Sequence, residues 1–278
     1  MFAFLPDNAI PIESPSTLPQ FLTPDGILFL VLNRPEVSNA FNGEQISHII
    51  DALEAAETNP NVRVVILTGA GKHFCAGGDI QYMRRLGQNS FEDNKEDALQ
   101  MAQLMFTLHE LQKPTIARVN GAAFGGGVGL LCCCDMAFGS PKTKVCLSEV
   151  KIGMVAATIG PYIVKAIGTR QAHRYMLTAE ILESEAARHT GFLSDVFPQE
   201  SMDKEILQRA QAICNNGPQS VQTSKALLLN LAAQQVDENI MDYTAEIIAS
   251  ARASAEGKEG LSAFLEKRKP NFKASSEE

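Results

Sequence analysis

Lys113-Pro114-Thr115-Ile116-Ala117-Arg118-Val119-Asn120-Gly121, followed by Phe124-Gly125-Gly126-Gly127-Val128-Gly129-Leu130-Leu131, decides the fold. The first half is a β-branched apolar run between a proline and an Asn-Gly turn, which reads as a buried strand. The second half puts three glycines at the head of a helix. Without Cβ atoms they let another group approach the backbone closely. The unpaired N–H groups of a first helical turn face that group and favour negative charge. The stretch runs on through Cys132, Cys133 and Cys134 to Asp135, and ends at Leu147-Ser148-Glu149.

Upstream, Ile27-Leu28-Phe29-Leu30-Val31-Leu32 and Val62-Arg63-Val64-Val65-Ile66-Leu67 read as buried strands. Between them Ile46, Ile49, Ile50 and Leu53 recur at helical spacing. Strand, helix, strand in this rhythm predicts parallel pairing through right-handed crossovers. A second glycine turn, Ala76-Gly77-Gly78-Asp79, again precedes a predicted helix. Residues 88–96 are polar and read as a mobile surface segment, before a helix over 97–111. Thr158 is placed to cap a helix through Ala166 that carries Pro161 in or near its first turn. Beyond Thr169 helical patterns dominate, with a short strand or connection at 193–197. Residues 1–24 are rich in Pro, Ser and Thr and read as a flexible arm, and the tail after Phe272 reads as frayed.

The chain has 278 residues, enough for an α/β core with a helical appendage. Its net charge of −8 argues against a general nucleic-acid surface. No apolar run reaches the ~20 residues that span a bilayer. The N-terminus lacks the basic-then-apolar pattern of a signal peptide, so a cytoplasmic protein is expected. Six cysteines, three of them consecutive, fit reduced core thiols better than disulfides or a metal site.

If the two glycine turns converge, two backbone N–H groups pinch one oxygen, such as a thioester carbonyl becoming an enolate. Taken singly, each turn reads more readily as a packing turn, since glycine-rich turns are common. Glu149 follows Val145-Cys146-Leu147, so its neighbours desolvate it and raise its pKa toward the range useful for proton transfer. The bland alternative is a buried acid bonded to the backbone or to Lys151. Asp79 and Asp135 read as caps or turn-holding groups. His73, His109 and His173 have no metal-ligand spacing.

Together, Leu32-Asn33-Arg34-Pro35, Asn39-Ala40, Phe74-Cys75-Ala76-Gly77-Gly78-Asp79-Ile80, Lys113-Pro114, Phe124-Gly125-Gly126-Gly127, Cys134-Asp135 and Glu266-Lys267-Arg268-Lys269-Pro270 resemble the enoyl-CoA hydratase/isomerase (crotonase) superfamily. The resemblance implies a crotonase-like ββα spiral with two roughly perpendicular sheets over 25–200. It also implies a helical C-terminal trimerisation region over 201–278, and homotrimers often paired into hexamers. By position, the N–H groups of Gly78 and Gly126 are the oxyanion donors and Glu149 the catalytic acid/base. Glu36, Val37, Ser38, Ala40, Asp79 and Ile80 line the CoA path, and Phe264 and Lys267 meet CoA from a C-terminal helix. CoA enters as part of the acyl-CoA substrate, with no separate cofactor and no metal.

One departure stands out. Hydratases of this superfamily carry two glutamates, and the first falls here on Gly129. That leaves three readings: a 2-enoyl-CoA hydratase, a Δ3,Δ2-enoyl-CoA isomerase using the single glutamate, or a non-catalytic acyl-CoA-binding protein. The run from Phe124 to Leu130, with Ile159-Gly160-Pro161-Tyr162, resembles a bacterial subgroup of enoyl-CoA or methylglutaconyl-CoA hydratases that also has glycine there. That subgroup usually has proline where this chain has Ala156.

Overall fold

The computed structural model describes residues 2–232 and 234–272. It contains two compact units, Met1–Ala210 and Gln211–Glu278. In the first, β1 (Ile10–Ile12), β2 (Gln20–Leu22), β3 (Ile27–Leu32), α1 (Gly43–Thr58), β4 (Val64–Gly69), α2 (Ile80–Leu86) and α3 (Phe91–Glu110) lead to β5 (Thr115–Val119). Then come β6 (Ala122–Phe124), α4 (Gly126–Cys133), β7 (Met136–Gly139), β8 (Lys144–Cys146), α5 (Gly160–Thr178), β9 (Leu182–Glu183), α6 (Ser184–Thr190) and β10 (Asp195–Val196). Helix α7 (Met202–Asn215) crosses the boundary into the second unit, which holds α8 (Pro218–Leu231), α9 (Glu238–Ala253) and α10 (Ala255–Leu265).

The strands form a seven-stranded sheet, β1-β2-β3-β4-β5-β7-β10, and a three-stranded sheet, β6-β8-β9. All six residues of β3 and of β4 are buried, and they pair in parallel from Ile27↔Val64 to Leu32↔Gly69. Continuous apolar strands of this kind suit a parallel sheet covered on both faces. The chain winds as a spiral. β5 joins the large sheet, β6 the small one, and α4 returns; β7, β8 and α5 repeat the turn. The two earlier turns add single bridges to the second layer, Phe41↔Gly78 and Cys75↔Ala123. Those two bridges set the glycine turn before α2 beside the one before α4.

Three sequence expectations differ. Part of the expected arm is sheet: β1 pairs with β2 and β2 with β3, both antiparallel. Phe4 packs near Phe29 and lies 4.5 Å under the Arg118 guanidinium. Apolar and cation–π contacts outweigh the Pro/Ser/Thr composition there. The polar segment 88–96 is largely the first turns of α3, because the Ser90 hydroxyl accepts from the Asp93 N–H at 3.1 Å and acids occupy the first turn. Thr158 caps nothing; α5 starts at Gly160 after Ile159, which makes no side-chain cap, and continues past Ala166 to Thr178 with non-helical φ/ψ at Gly168. The tail expected to fray after Phe272 lies outside the described residues.

In the second unit, α8–α10 bury little within the unit. No residue of α9 is buried, and Leu228, Met241, Ile248 and Leu261 are exposed. The buried residues of these helices are Lys225, Ala263 and Glu256, and Glu256 anchors the start of α8. Its buried carboxylate accepts from Gln219 N, Ser220 N and Ser220 Oγ at 2.7–3.0 Å, capping α8. Among the described residues, no helix is long and apolar enough to cross a membrane.

Candidate active site

The first glycine turn follows β4. Gly77, at φ 90°, needs glycine's freedom, and a Cβ there would stand 2.8 Å from Phe124 O and 3.3 Å from the Gly126 nitrogen. A Cβ on Gly127 would stand 2.3 Å from Cys75 O. The two turns therefore touch backbone to backbone. In the second turn Gly125, at φ 52°, passes β6 into α4, and its N–H is spent on Cys146 O at 2.9 Å. Gly126 follows as the first residue of α4, where N–H groups have no intrahelical partner. Gly77, Gly125 and Gly127 are buried, whereas Gly78 and Gly126 stay half-buried. Met83 backs Gly78, and Phe41 and Met101 back Gly126.

β8 delivers the acid. Its register, Phe124↔Cys146, sets the residues after Cys146 beside the turn after Phe124. Glu149 opens a short 3-10 turn, Glu149–Ile152, and its Oε1 lies 3.4 Å from where a Gly125 Cβ would stand. Oε2 is buried and has no hydrogen-bond partner among the described residues, neither Lys151 nor a backbone donor. Burial pushes its pKa up, only partly offset by its own backbone N–H.

Position 129 faces apolar packing. A Cβ on Gly129 would meet Ile159 Cγ2 at 2.2 Å and Met105 Sδ at 3.0 Å. The missing glutamate thus leaves no vacancy; Ile159 and Met105 fill the space.

Beside Gly78 opens a cavity of about 640 Å³. Its lining includes Glu36, Val37, Ser38, Ala40, Asp79 and Ile80, the residues expected along a CoA path. Arg34, Ala76, Gln81 and Met83 also line it and were not expected along that path from the sequence. Arg34 had a signal, since it stands inside Asn33-Arg34-Pro35. Gly126 and Glu149 are not part of this lining; they connect to it through the touching glycine turns. Asp79 Oδ1 caps α2 through Gln81 N and Tyr82 N, and Oδ2 pairs with Arg34 Nη2 at 2.9 Å. Burial would raise the Asp79 pKa, but the Arg34 hydrogen bond and the cap hold it below its ordinary value. Asp135 accepts from Thr115 N and Oγ1, tying β5 to the start of β7. A second cavity, about 710 Å³, lies between α2 and α3, where the Tyr82 hydroxyl bonds Asp97. In the second unit, Phe264 is 78% exposed and Lys267 takes φ 54° just past α10. No two of the six cysteines are joined by a disulfide.

The sequence model described as enoyl-CoA hydratase/isomerase matches residues 23–275. The chain belongs to the enoyl-CoA hydratase/isomerase family. A crotonyl-CoA hydratase of Syntrophomonas wolfei is 35% identical over 246 residues, 87% of this chain and 93% of its own length. A peroxisomal Δ(3,5)-Δ(2,4)-dienoyl-CoA isomerase of Arabidopsis thaliana is 30% identical over 262 residues, covering 90% of this chain and 94% of that protein. A solved enoyl-CoA hydratase of Shewanella pealeana superposes with TM-score 0.88 at 40% identity, covering 92% of this chain and 95% of that one. These likenesses establish the crotonase fold for the first unit's ββα spiral. Both hydratases and isomerases of the family stand at this level of similarity, so the chemistry turns on the site's own residues.

Proposed function

We propose that this chain adds water reversibly to a 2-enoyl-CoA, giving a 3-hydroxyacyl-CoA. The observation that carries the reading is the meeting of two half-buried glycine turns beside one desolvated carboxyl, Glu149. The N–H groups of Gly78 and Gly126 hold the thioester oxygen. Glu149 takes a proton from water as the water oxygen bonds C3, and the C2=C3 electrons shift toward the held oxygen as an enolate. The proton returns to C2, so water's two fragments end on C3 and C2. One oxyanion donor is worth about 2.7–4 kcal/mol in the transition state. CoA enters as part of the substrate along the cavity lined by Glu36, Val37, Ser38, Ala40, Asp79 and Ile80, and no resident cofactor or metal is needed.

Phe264 and Lys267 serve as further CoA contacts, Lys267 as a point charge for phosphate. The exposed apolar residues of α8–α10 support a homotrimer or a dimer of trimers. Six cysteines with no disulfide among them suit a reducing cytoplasm. Incubation with crotonyl-CoA and with 3-methylglutaconyl-CoA, following loss of enoyl-thioester absorbance, tests the reading. Turnover of either supports it; a flat trace with both, at concentrations where CoA binds, contradicts it.

A second reading is favoured by the sealed position 129. One carboxyl suffices to carry a proton between C4 and C2 of a 3-enoyl-CoA, which is isomerisation without water. Conversion of 3-hexenoyl-CoA to 2-hexenoyl-CoA, with no hydration of the product, selects it.

A further inference from the structure

An oxyanion donor works only if its N–H points at a fixed spot, and nothing in glycine itself fixes Gly78. Its neighbours do. Gly77 O accepts from Phe41 N, and Asp79 N donates to Phe41 O, both at 2.9 Å, so the peptides on either side of Gly78 hang on one residue. That bridge is isolated, with no strand continuing it. A lone bridge of two hydrogen bonds is a weak anchor.

One side chain spans both sides of it. Arg34 Nη1 donates to Ala40 O at 2.6 Å, next to Phe41, and Arg34 Nη2 donates to Asp79 Oδ2 at 2.9 Å, next to Gly78. Arg34 is itself held, its N–H donating to Asn39 Oδ1 at 3.0 Å. Asn39 Nδ2 in turn reaches Ala70 O and His73 O at the two ends of the loop after β4. The other Asp79 oxygen caps α2, so the helix and the bridge share one carboxylate. The Asp79 side chain is 11% exposed and that of Arg34 18%. A pair so shielded is geometrically firm, and a planar fork serving two acceptors cannot be replaced by lysine.

We propose that Arg34 and Asp79 form a clip across the Phe41–Gly78 bridge, and that they are positioning residues for the Gly78 oxyanion donor. The proposal rests on the hydratase reading of the site and adds two side chains that touch no reacting atom.

The test uses the full chain and 2,4-hexadienoyl-CoA, a thioester whose absorption band moves to longer wavelength as its carbonyl is polarised. In the parent, saturating protein shifts the band. Asp79→Asn keeps a capping oxygen but presents an amide where Arg34 needs an acceptor, and Arg34→Lys cannot reach both ends. Each is expected to lose at least half of the parent shift at saturation. Each is also expected to lower kcat for crotonyl-CoA hydration by roughly 10- to 100-fold, the scale of a small misplacement. The R34K/D79N double variant is expected to cost no more than the worse single one, because the clip acts as a unit. A full parent shift at saturation in both single variants overturns the clip, as do additive losses in the double. A saturated parent with no shift overturns the oxyanion reading itself, so the two failures are told apart.

Discussion

Alanine at position 129 asks whether this site has room for a second side chain. The added Cβ would stand 2.2 Å from Ile159 Cγ2, 2.9 Å from Ile159 Cβ and 3.0 Å from Met105 Sδ. Ile159 is 2% exposed and Met105 fully buried, so neither can swing aside into solvent. A β-branched side chain has few alternative rotamers, and overpacking by one methyl costs about 1–3 kcal/mol. The contact at 2.2 Å puts Gly129→Ala in the upper half of that range. Ile159→Ala alone leaves a cavity costing about 2–5 kcal/mol. In the double variant the new methyl enters the vacated space, so the cost falls below the sum of the singles by about 1–2 kcal/mol. Urea denaturation of all four proteins measures this, provided the m-values agree. Gly129→Glu adds a carboxyl to the same clash and is expected to be less stable than Gly129→Ala, with no gain in hydration rate. A Gly129→Ala protein within about 0.5 kcal/mol of the parent, an additive cycle, or a faster Gly129→Glu enzyme refutes the packing argument.

In the proposed hydration the ionised Glu149 takes the proton from water, and burial holds its pKa above the ordinary 4.5. The hydration rate therefore rises with pH through that elevated value, and a kcat/KM profile is expected to place its acid limb above 4.5. A limb at or below 4.5 contradicts the desolvated site. Glu256→Ala removes three acceptor bonds at the start of α8 and is expected to cost at least about 2 kcal/mol, with faster amide exchange at Gln219 and Ser220; unchanged exchange there counts against the cap. Phe4→Ala loses the ring under Arg118, worth about 1–2 kcal/mol, and is expected to speed amide exchange in β1 and β2 while leaving β4 unchanged.

The centre of the large sheet was legible because β3 and β4 are buried along their whole length and read as largely apolar runs, and β5, equally buried, departs from that pattern only at Thr115 and Arg118. β6, β7 and β8 are only three or four residues long and gave no period to read. The N-terminal strands were hidden for another reason. Gln20-Phe21-Leu22 is half-buried and Ile10-Pro11-Ile12 exposed, so edge pairing rather than burial makes them strands. α3 was read six residues short because Ser90 acts through one local hydrogen bond, which composition averages away. At the site, the glycine turns and Glu149 were legible as residue types in order. Their meeting was not, since it depends on two isolated bridges and on the β6–β8 register. Arg34 was legible as part of a motif but not as a clip, because its partners, Ala40 and Asp79, are 6 and 45 residues away in sequence. The filling of position 129 by Ile159, 30 residues on, is likewise a tertiary fact.

The measurement that bears most directly on the account is kcat for crotonyl-CoA hydration in Glu149→Gln, taken with the Kd of a CoA thioester for the same protein. The side chain keeps its shape and loses its ability to carry a proton. The account predicts a fall in kcat of roughly 10²- to 10⁴-fold with thioester binding retained. Hydration at near-parent rate in that variant would show that the proton travels by another group, and the single-carboxyl site would be wrong.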